Sequence, residues 1–258
     1  MADGFERYGR FPSLEDKVVF ISGGSSGIGA SFVQHFAHQG AKVGFVGLGQ
    51  ELGEGVVASC AGAKHTPLFR ACDITNTKAY QATIAEIASA LGDVQALVNS
   101  AANDDRHKTP DVTEEYWERT VAVNLKHYFF ATQAVLPGMR KAGAGSIINI
   151  GSNSWMLKAP IFPVYAMCNT AILGLSMVHA AEFGEDHIRV NCLTPGWVKT
   201  PKQVELWLTP EGDADRQKGQ LIKDWVEPPD IARMALFLAA DDSKMITAQN
   251  FVVDAGWP

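Results

Sequence analysis

Seven short apolar runs punctuate the chain: KVVFIS (17–22), KVGFV (42–46), PLFRA (67–71), ALVN (96–99), SIINI (146–150), RVNCL (189–193) and FVVD (251–254). Each is strand length, rich in Val, Ile or Phe, and apolar at consecutive rather than alternate positions, which predicts parallel strands buried on both faces. Between them lie segments with helical spacing. ASFVQHFAHQG ends on Gly40, as a helix closed by a left-handed cap does, and NTKAYQATIAEIASALG opens on a polar cap and ends on Gly92. This alternation predicts an α/β fold, a doubly wound parallel sheet of about seven strands with right-handed crossovers. Ligands of such sheets bind beyond the carboxyl ends of the strands, so functional residues are sought there.

With 258 residues and 47% apolar content the chain can bury a real core, and no linker, low-complexity run or repeat divides it, so one domain over 1–258 is expected. The opening MADGFERYGRFPSLED holds no continuous apolar stretch, and no signal peptide is expected. Nowhere does a continuous apolar run reach the length of about 18 residues that spans a bilayer, so no membrane partner is expected. Cys60, Cys72, Cys168 and Cys192 are scattered without a C-x-x-C pair, consistent with a reducing, cytoplasmic setting. A formal charge of -6 disfavours nucleic acid as a partner and points to a small molecule.

The first run leads directly into SGGSSGIG, with Gly23, Gly27 and Gly29 at G-x-x-x-G-x-G spacing. Strand before and helix after predict a cradle in which the glycines, with Ser25, Ser26 and Ile28 between them, let backbone N–H groups approach a pyrophosphate. On this motif the chain resembles the short-chain dehydrogenase/reductase family, and the resemblance runs over nearly its whole length. It implies a Rossmann-type sheet binding NAD or NADP. Asp73 and Ile74 in CDIT follow the third strand, where the family holds the adenine ring. NSAA (Asn99 to Ala102) stands where the family has NNAG and places Asn99 and Ala101 beside the cofactor. RVNCLTPGWVKT matches the stretch over the nicotinamide, implicating Pro195, Gly196, Val198 and Thr200. Asn124 in VAVNL matches the asparagine of the long central helix, and Ser152 lies thirteen residues before Tyr165, the family spacing of catalytic serine and tyrosine. Singly, Ser152 reads equally as a helix cap and Tyr165 as a packing aromatic; the joint spacing favours catalysis.

The chemistry needs these types. An ionised tyrosine takes the proton of a substrate hydroxyl while serine hydrogen-bonds the oxygen. The resemblance implies a lysine four residues after the tyrosine, holding the nicotinamide ribose and lowering the tyrosine pKa; YAMCN places Asn169 there. Asparagine keeps the ribose contact and loses the charge, so activity is expected to be reduced, unless Lys158, Lys199 or His127 restores a cation instead of serving as a surface or packing residue. Gly47 stands where NAD-dependent relatives place the aspartate for the ribose 2'-hydroxyl. With no basic clamp nearby for a 2'-phosphate, NAD is favoured over NADP.

NDDRHK (103–108) follows the fourth strand, and its Asp104 and Arg106 suit vicinal hydroxyls, unless the loop is merely solvated. A metal held by Asp104, Asp105 and His107 lacks any fixed geometry, and none is expected. In GWVKTPKQVELWLTPEG, Trp197 and Gln203 offer an aromatic face with an adjacent amide in a substrate lid around 197–225, where Trp207 and Trp225 serve the substrate or pack the lid. NDDRHK, DVTEEYW, NLKHYFFATQAVLPGM, WVKTPKQ, TPEGDA and DAGWP together resemble the family's aldose 1-dehydrogenases, of xylose, arabinose, fucose or rhamnose type. This implies oxidation of the anomeric hydroxyl to a lactone, with Asp104, Arg106, Ser152, Tyr165, Trp197 and Gln203 meeting the sugar, in a homotetramer. The competing readings are a non-catalytic nucleotide- or sugar-binding member of the fold and a dehydrogenase of another small polyol. Retention of Asn124, Ser152 and Tyr165 together favours an enzyme.

Overall fold

The computed structural model describes Phe5 and residues 8–257. Residues 1–4, 6 and 7 of the opening segment and Pro258 of DAGWP lie outside the described residues. Seven strands form one parallel sheet: β1 (Val18–Ser22), β2 (Lys42–Gly47), β3 (Leu68–Ala71), β4 (Ala96–Asn99), β5 (Gly145–Ile150), β6 (Ile188–Pro195) and β7 (Asn250–Val253). Their order is β3-β2-β1-β4-β5-β6-β7. The chain order reverses at β1, which pairs with β2 on one side and β4 on the other.

The helices are α1 (Gly27–His38), α2 (Gln50–Ser59), α3 (Thr77–Leu91), α4 (Glu114–Val121), α5 (His127–Ala142), α6 (Pro163–Phe183), α7 (Pro201–Leu206), α8 (Pro210–Gly219) and α9 (Pro228–Ala239). The absence of alternation in the strands has a direct cause. Val19 and Ile21 meet Phe32 and Phe36 of α1 and Ile231 of α9 on one face. Their neighbours Val18 and Phe20 meet Tyr80 and Ile84 of α3 and Val135 of α5 on the other. Truncating a side chain such as Phe20, which is fully buried, would cost about 3–5 kcal/mol.

Two local features prepare the site. Between α4 and α5 the helix passes through a π-helical turn, Ala122–Lys126, which carries the buried Asn124; such turns concentrate at functional sites. α6 is apolar almost all round. Within residues 163–186 an 18-residue stretch is long and apolar enough on average to cross a membrane, although it is not a continuous apolar run. One side of it, with Cys168, Ile172 and Phe183, is buried, while Met177 and Val178 are exposed.

Candidate active site

A cleft of about 1150 Å³ opens beyond the carboxyl ends of the strands, where the order reverses. Its floor is the turn from β1 to α1. Gly23 has φ +71°, and a Cβ there would lie 2.7 Å from Ala101 Cα; a Cβ on Gly29 would lie 2.0 Å from the Gly23 carbonyl oxygen. Only glycine fits either position. Ser26 caps α1 in extended conformation without a side-chain hydrogen bond, leaving the first helical N–H groups to the cleft. These donors, at the positive end of the helix dipole, fit the pyrophosphate of a dinucleotide. Ser25, Ser26, Gly27 and Ile28 line the same cradle.

Asp73 and Ile74 line the cleft beyond β3, and Asp73 Oδ1 accepts from the Thr75 N–H (2.9 Å) and hydroxyl (2.7 Å), which fixes its carboxylate. Gly47 and Ala101 also border it, the latter held by Ser22 Oγ, which accepts from Ala101 N at 3.2 Å. Pro195, Gly196, Val198 and Thr200 also line the cleft, Thr200 beside Gly27 of the cradle. Asn99 lies deeper. Fully buried at the end of β4, its amide donates to Asn149 Oδ1 (2.9 Å), and Asn149 donates to Ser176 Oγ (3.0 Å), so Asn99 ties β4 and β5 to α6 and does not line the cleft. Asn124 is also set back: its Oδ1 accepts from Asn103 N (2.8 Å) and its amide donates to Thr120 O (2.9 Å).

Ser152, Tyr165 and Asn169 meet at the cleft wall. Tyr165 and Asn169 share one face of α6 at a separation of four, and Asn169, almost fully buried, donates to the Tyr165 carbonyl at 2.9 Å. The Tyr165 phenol is pushed up to about 12, first by burial and then by the negative charge of Asp104; the adjacent Ser152 and Asn169 side chains pull the other way. Two of the three candidate cations are removed by their placement. His127 is buried with Nε2 against Ala101 O (2.9 Å), and burial lowers its pKa to about 3, so it is neutral. Lys199 lies off the cleft, its ammonium 5.8 Å from the Trp225 ring centroid. Only Lys158 of the three lines the cleft.

Asp104, Arg106, Trp197 and Gln203 line the same cleft as Tyr165. Asp104 is gripped by α7: Oδ1 accepts from Lys202 Nζ (2.7 Å) and Oδ2 from Gln203 Nε2 (2.6 Å), while Gln203 Oε1 accepts from Trp197 Nε1 (2.8 Å). Arg106 stacks over Trp207 at 4.2 Å. Trp207 and Trp225 do not line the cleft and pack the 197–225 segment, with the buried Arg216 over Trp225 at 3.9 Å and bonded to Asp213 and Gln220. Sequence reasoning missed Lys202, Arg216 and the cleft-lining Trp257. A Lys–Asp pair so far apart along the chain carries no periodic signal. His107, weighed above as a metal ligand, is bonded instead to Tyr116 and to the start of α6.

A family model described as enoyl-(acyl carrier protein) reductase matches residues 23–258. A D-xylose 1-dehydrogenase of Caulobacter vibrioides is 45% identical, covering 96% of this chain and 98% of the relative. A probable galactose dehydrogenase of Rhizobium meliloti is 42% identical over 96% of this chain and 97% of its own length. Among solved structures, a short-chain type dehydrogenase/reductase from Mycobacterium ulcerans superposes with a TM-score of 0.90 at 25% identity, covering 95% and 90% of the two chains. The glycine cradle, the serine–tyrosine pair and these likenesses agree: the chain belongs to the short-chain dehydrogenase/reductase family.

Proposed function

We propose that this oxidoreductase removes hydride from the anomeric carbon of an aldose, giving a lactone. The observation that carries the reading is the polar wall of Asp104, Gln203 and Trp197, which shares one cleft with Ser152 and Tyr165. The names of the xylose and galactose relatives support the same substrate class.

A nicotinamide dinucleotide, when bound in the glycine cradle, supplies the hydride acceptor. Ionised Tyr165 takes the proton of the anomeric hydroxyl, and Ser152 donates a hydrogen bond to its oxygen. Asp104 accepts from ring hydroxyls, Arg106 donates to them, and Trp197 faces the apolar side of the ring. Asn169 anchors the cofactor ribose and leaves Tyr165 a weak acid. An anomeric hydroxyl is more acidic than an ordinary alcohol, and the ring oxygen stabilises the carbon that loses hydride, so this substrate tolerates a poorer base. NAD is the proposed cofactor, because Ser25, Leu48, Gly49 and Leu52 around Gly47 offer no cation to a 2'-phosphate.

We also infer a cytoplasmic homotetramer without membrane or nucleic-acid partners. The exposed apolar residues Phe129, Met177 and Val178 on α5 and α6 suit burial against a second copy, and the net charge of -6 suits neither polyanion. The test is a spectrophotometric assay with D-xylose, D-galactose and L-arabinose and both cofactors across pH. Absence of turnover on every aldose, in protein that binds cofactor, would favour the non-catalytic reading that the loss of the lysine at position 169 supports.

A further inference from the structure

We propose that His107 is a positioning residue that clasps the first turn of α6, and so sets Tyr165 in register with the loop carrying Asp104. Its backbone N–H donates to Ile161 O at 2.8 Å, and its Nε2 accepts from Val164 N at 3.1 Å. Both contacts bracket the two residues that open the helix, Phe162 and Pro163, and the second falls on the residue next to Tyr165.

α6 needs such a partner. The N-cap position is Phe162, which has no side-chain acceptor, and Pro163 follows without an N–H. Val164 therefore carries the first free amide of the helix, and helices place Ser, Thr, Asp or Asn at the cap to satisfy such donors. Here the acceptor comes from a loop far away in sequence. Accepting at Nε2 puts the imidazole proton on Nδ1, which faces Asp105 O (2.9 Å) and Tyr116 Oη (2.8 Å). One tautomer satisfies every contact. Tyr116 lies on α4, so the ring is held from behind by a separate element.

The loop is anchored at its other end too. Asn103 N donates to Asn124 Oδ1 at 2.8 Å, and Asp104 is held by Lys202 and Gln203 of α7. Five consecutive residues thus contact the π-helical turn, the segment over the cleft and the start of the catalytic helix. His107 is the one of them that reaches α6.

The kinetic arm of the test rests on the aldose reading; an exchange arm does not. Removing the acceptor with His107→Leu should lower kcat on an aldose by about tenfold or more, since misplacement of a reacting group by about 1 Å can cost about a hundredfold. KM for the aldose and the dissociation constant for NAD should move by less than about threefold, because Asp104 and the cradle keep their own anchors. His107→Gln, whose Oε1 can reach the place of Nε2, should recover most of kcat. By hydrogen exchange, the Val164 and Tyr165 amides should exchange about tenfold faster in His107→Leu and return towards the parent rate in His107→Gln. Tyr116→Phe, which keeps the ring and loses the hydroxyl on Nδ1, should show the same pattern at smaller amplitude and serves if His107→Leu does not fold. Unchanged kcat and exchange in these variants would overturn the proposal, and so would a loss that His107→Gln does not restore. If the parent turns over no aldose, the function proposed above fails, while faster exchange reversed by glutamine still supports the clasp and unchanged exchange still sinks it.

Discussion

The Ser25 hydroxyl occupies the space into which any side chain at position 47 would project: a Cβ on Gly47 would lie 2.2 Å from Ser25 Oγ and 2.7 Å from Ser25 Cβ. The two positions form one steric unit across the mouth of the cradle. A carboxylate at the end of β2 therefore cannot be added while Ser25 keeps its place.

Gly47→Asp alone should consequently weaken both NAD and NADP, rather than sharpen the preference for NAD. Ser25→Gly combined with Gly47→Asp should release the clash, present an acceptor to a ribose 2'-hydroxyl and repel a 2'-phosphate. The NAD/NADP affinity ratio of the double variant should rise by about tenfold or more, equivalent to about 1.4 kcal/mol. Calorimetric titration of both oxidised cofactors into the parent, the two single variants and the double variant checks this. A single Gly47→Asp variant that binds NAD more tightly than the parent would contradict the steric argument.

Asp104 and Gln203 should govern sugar affinity. Asp104→Ala removes the acceptor for a sugar hydroxyl, and Gln203→Ala removes the amide that holds that acceptor in place, at a cost of about 0.5–3 kcal/mol, or about twofold to a hundredfold in KM. Lys202 is partly exposed, so losing its partner adds little. Cofactor affinity should stay within about twofold, because neither residue contacts the cradle. Initial-rate measurements over a sugar concentration series decide the matter. Unchanged sugar kinetics in both variants would make the Asp104 grip a fastening of α7 alone.

Much of this architecture was legible before the structure. The apolar runs fall on the seven strands to within two residues at each end, because strands buried on both faces leave no ambiguity of phase. Gly23 and Gly29 could be read because a backbone crowded by backbone admits one residue type. What stayed hidden depends on approach between distant segments. Asn99 reads like a cofactor contact at the end of β4, yet its amide turns into the sheet to meet Asn149. Lys202 lies beside Gln203 in a segment already singled out, but its role appears only when α7 closes on Asp104. His107 belongs to a polar cluster that reads as a sugar-binding or solvated loop, and only the missing cap of α6 explains its placement.

Acid should destabilise the protein partly through His127. Burial lowers its pKa from the ordinary imidazole value of about 6.5 to about 3, so the folded state excludes a proton that the unfolded chain takes up. The sign follows: this contribution to stability is full above about pH 6.5 and shrinks as pH falls towards 3, by about 1.4 kcal/mol per unit. His127→Gln keeps a donor for Ala101 O and cannot titrate. Urea unfolding at pH 7 and pH 5 should show a smaller loss in the variant than in the parent, by about 2 kcal/mol. Buried His35 and His179 act in the same direction in both proteins and cancel in the difference. Equal losses in parent and variant would mean that His127 is already protonated in the fold.

The strongest test of the site is the charge missing at position 169. Tyr165 is held at about 12 by burial and by Asp104, and Asn169 offers only a dipole against them. Oxidation should therefore climb with pH well above neutrality as tyrosinate forms. Asn169→Lys places an ammonium on the same face of α6, reaching into the cleft that Asn169 already lines. An adjacent opposite charge lowers a pKa by about 1–3 units, so the rising limb of the pH–rate profile should move down by that amount. Turnover at neutral pH should rise by about tenfold per unit while tyrosinate is limiting. Asp104→Asn should move the limb in the same direction by less, because it removes a repulsion that ranks second to burial. Tyr165→Phe should abolish turnover in either background. A profile unmoved by Asn169→Lys, in a variant that still binds cofactor, would mean that proton transfer to Tyr165 does not limit the rate or that Lys158, which also lines the cleft, already supplies the charge; Lys158→Met separates the two, since only in the second case does it carry the limb to higher pH.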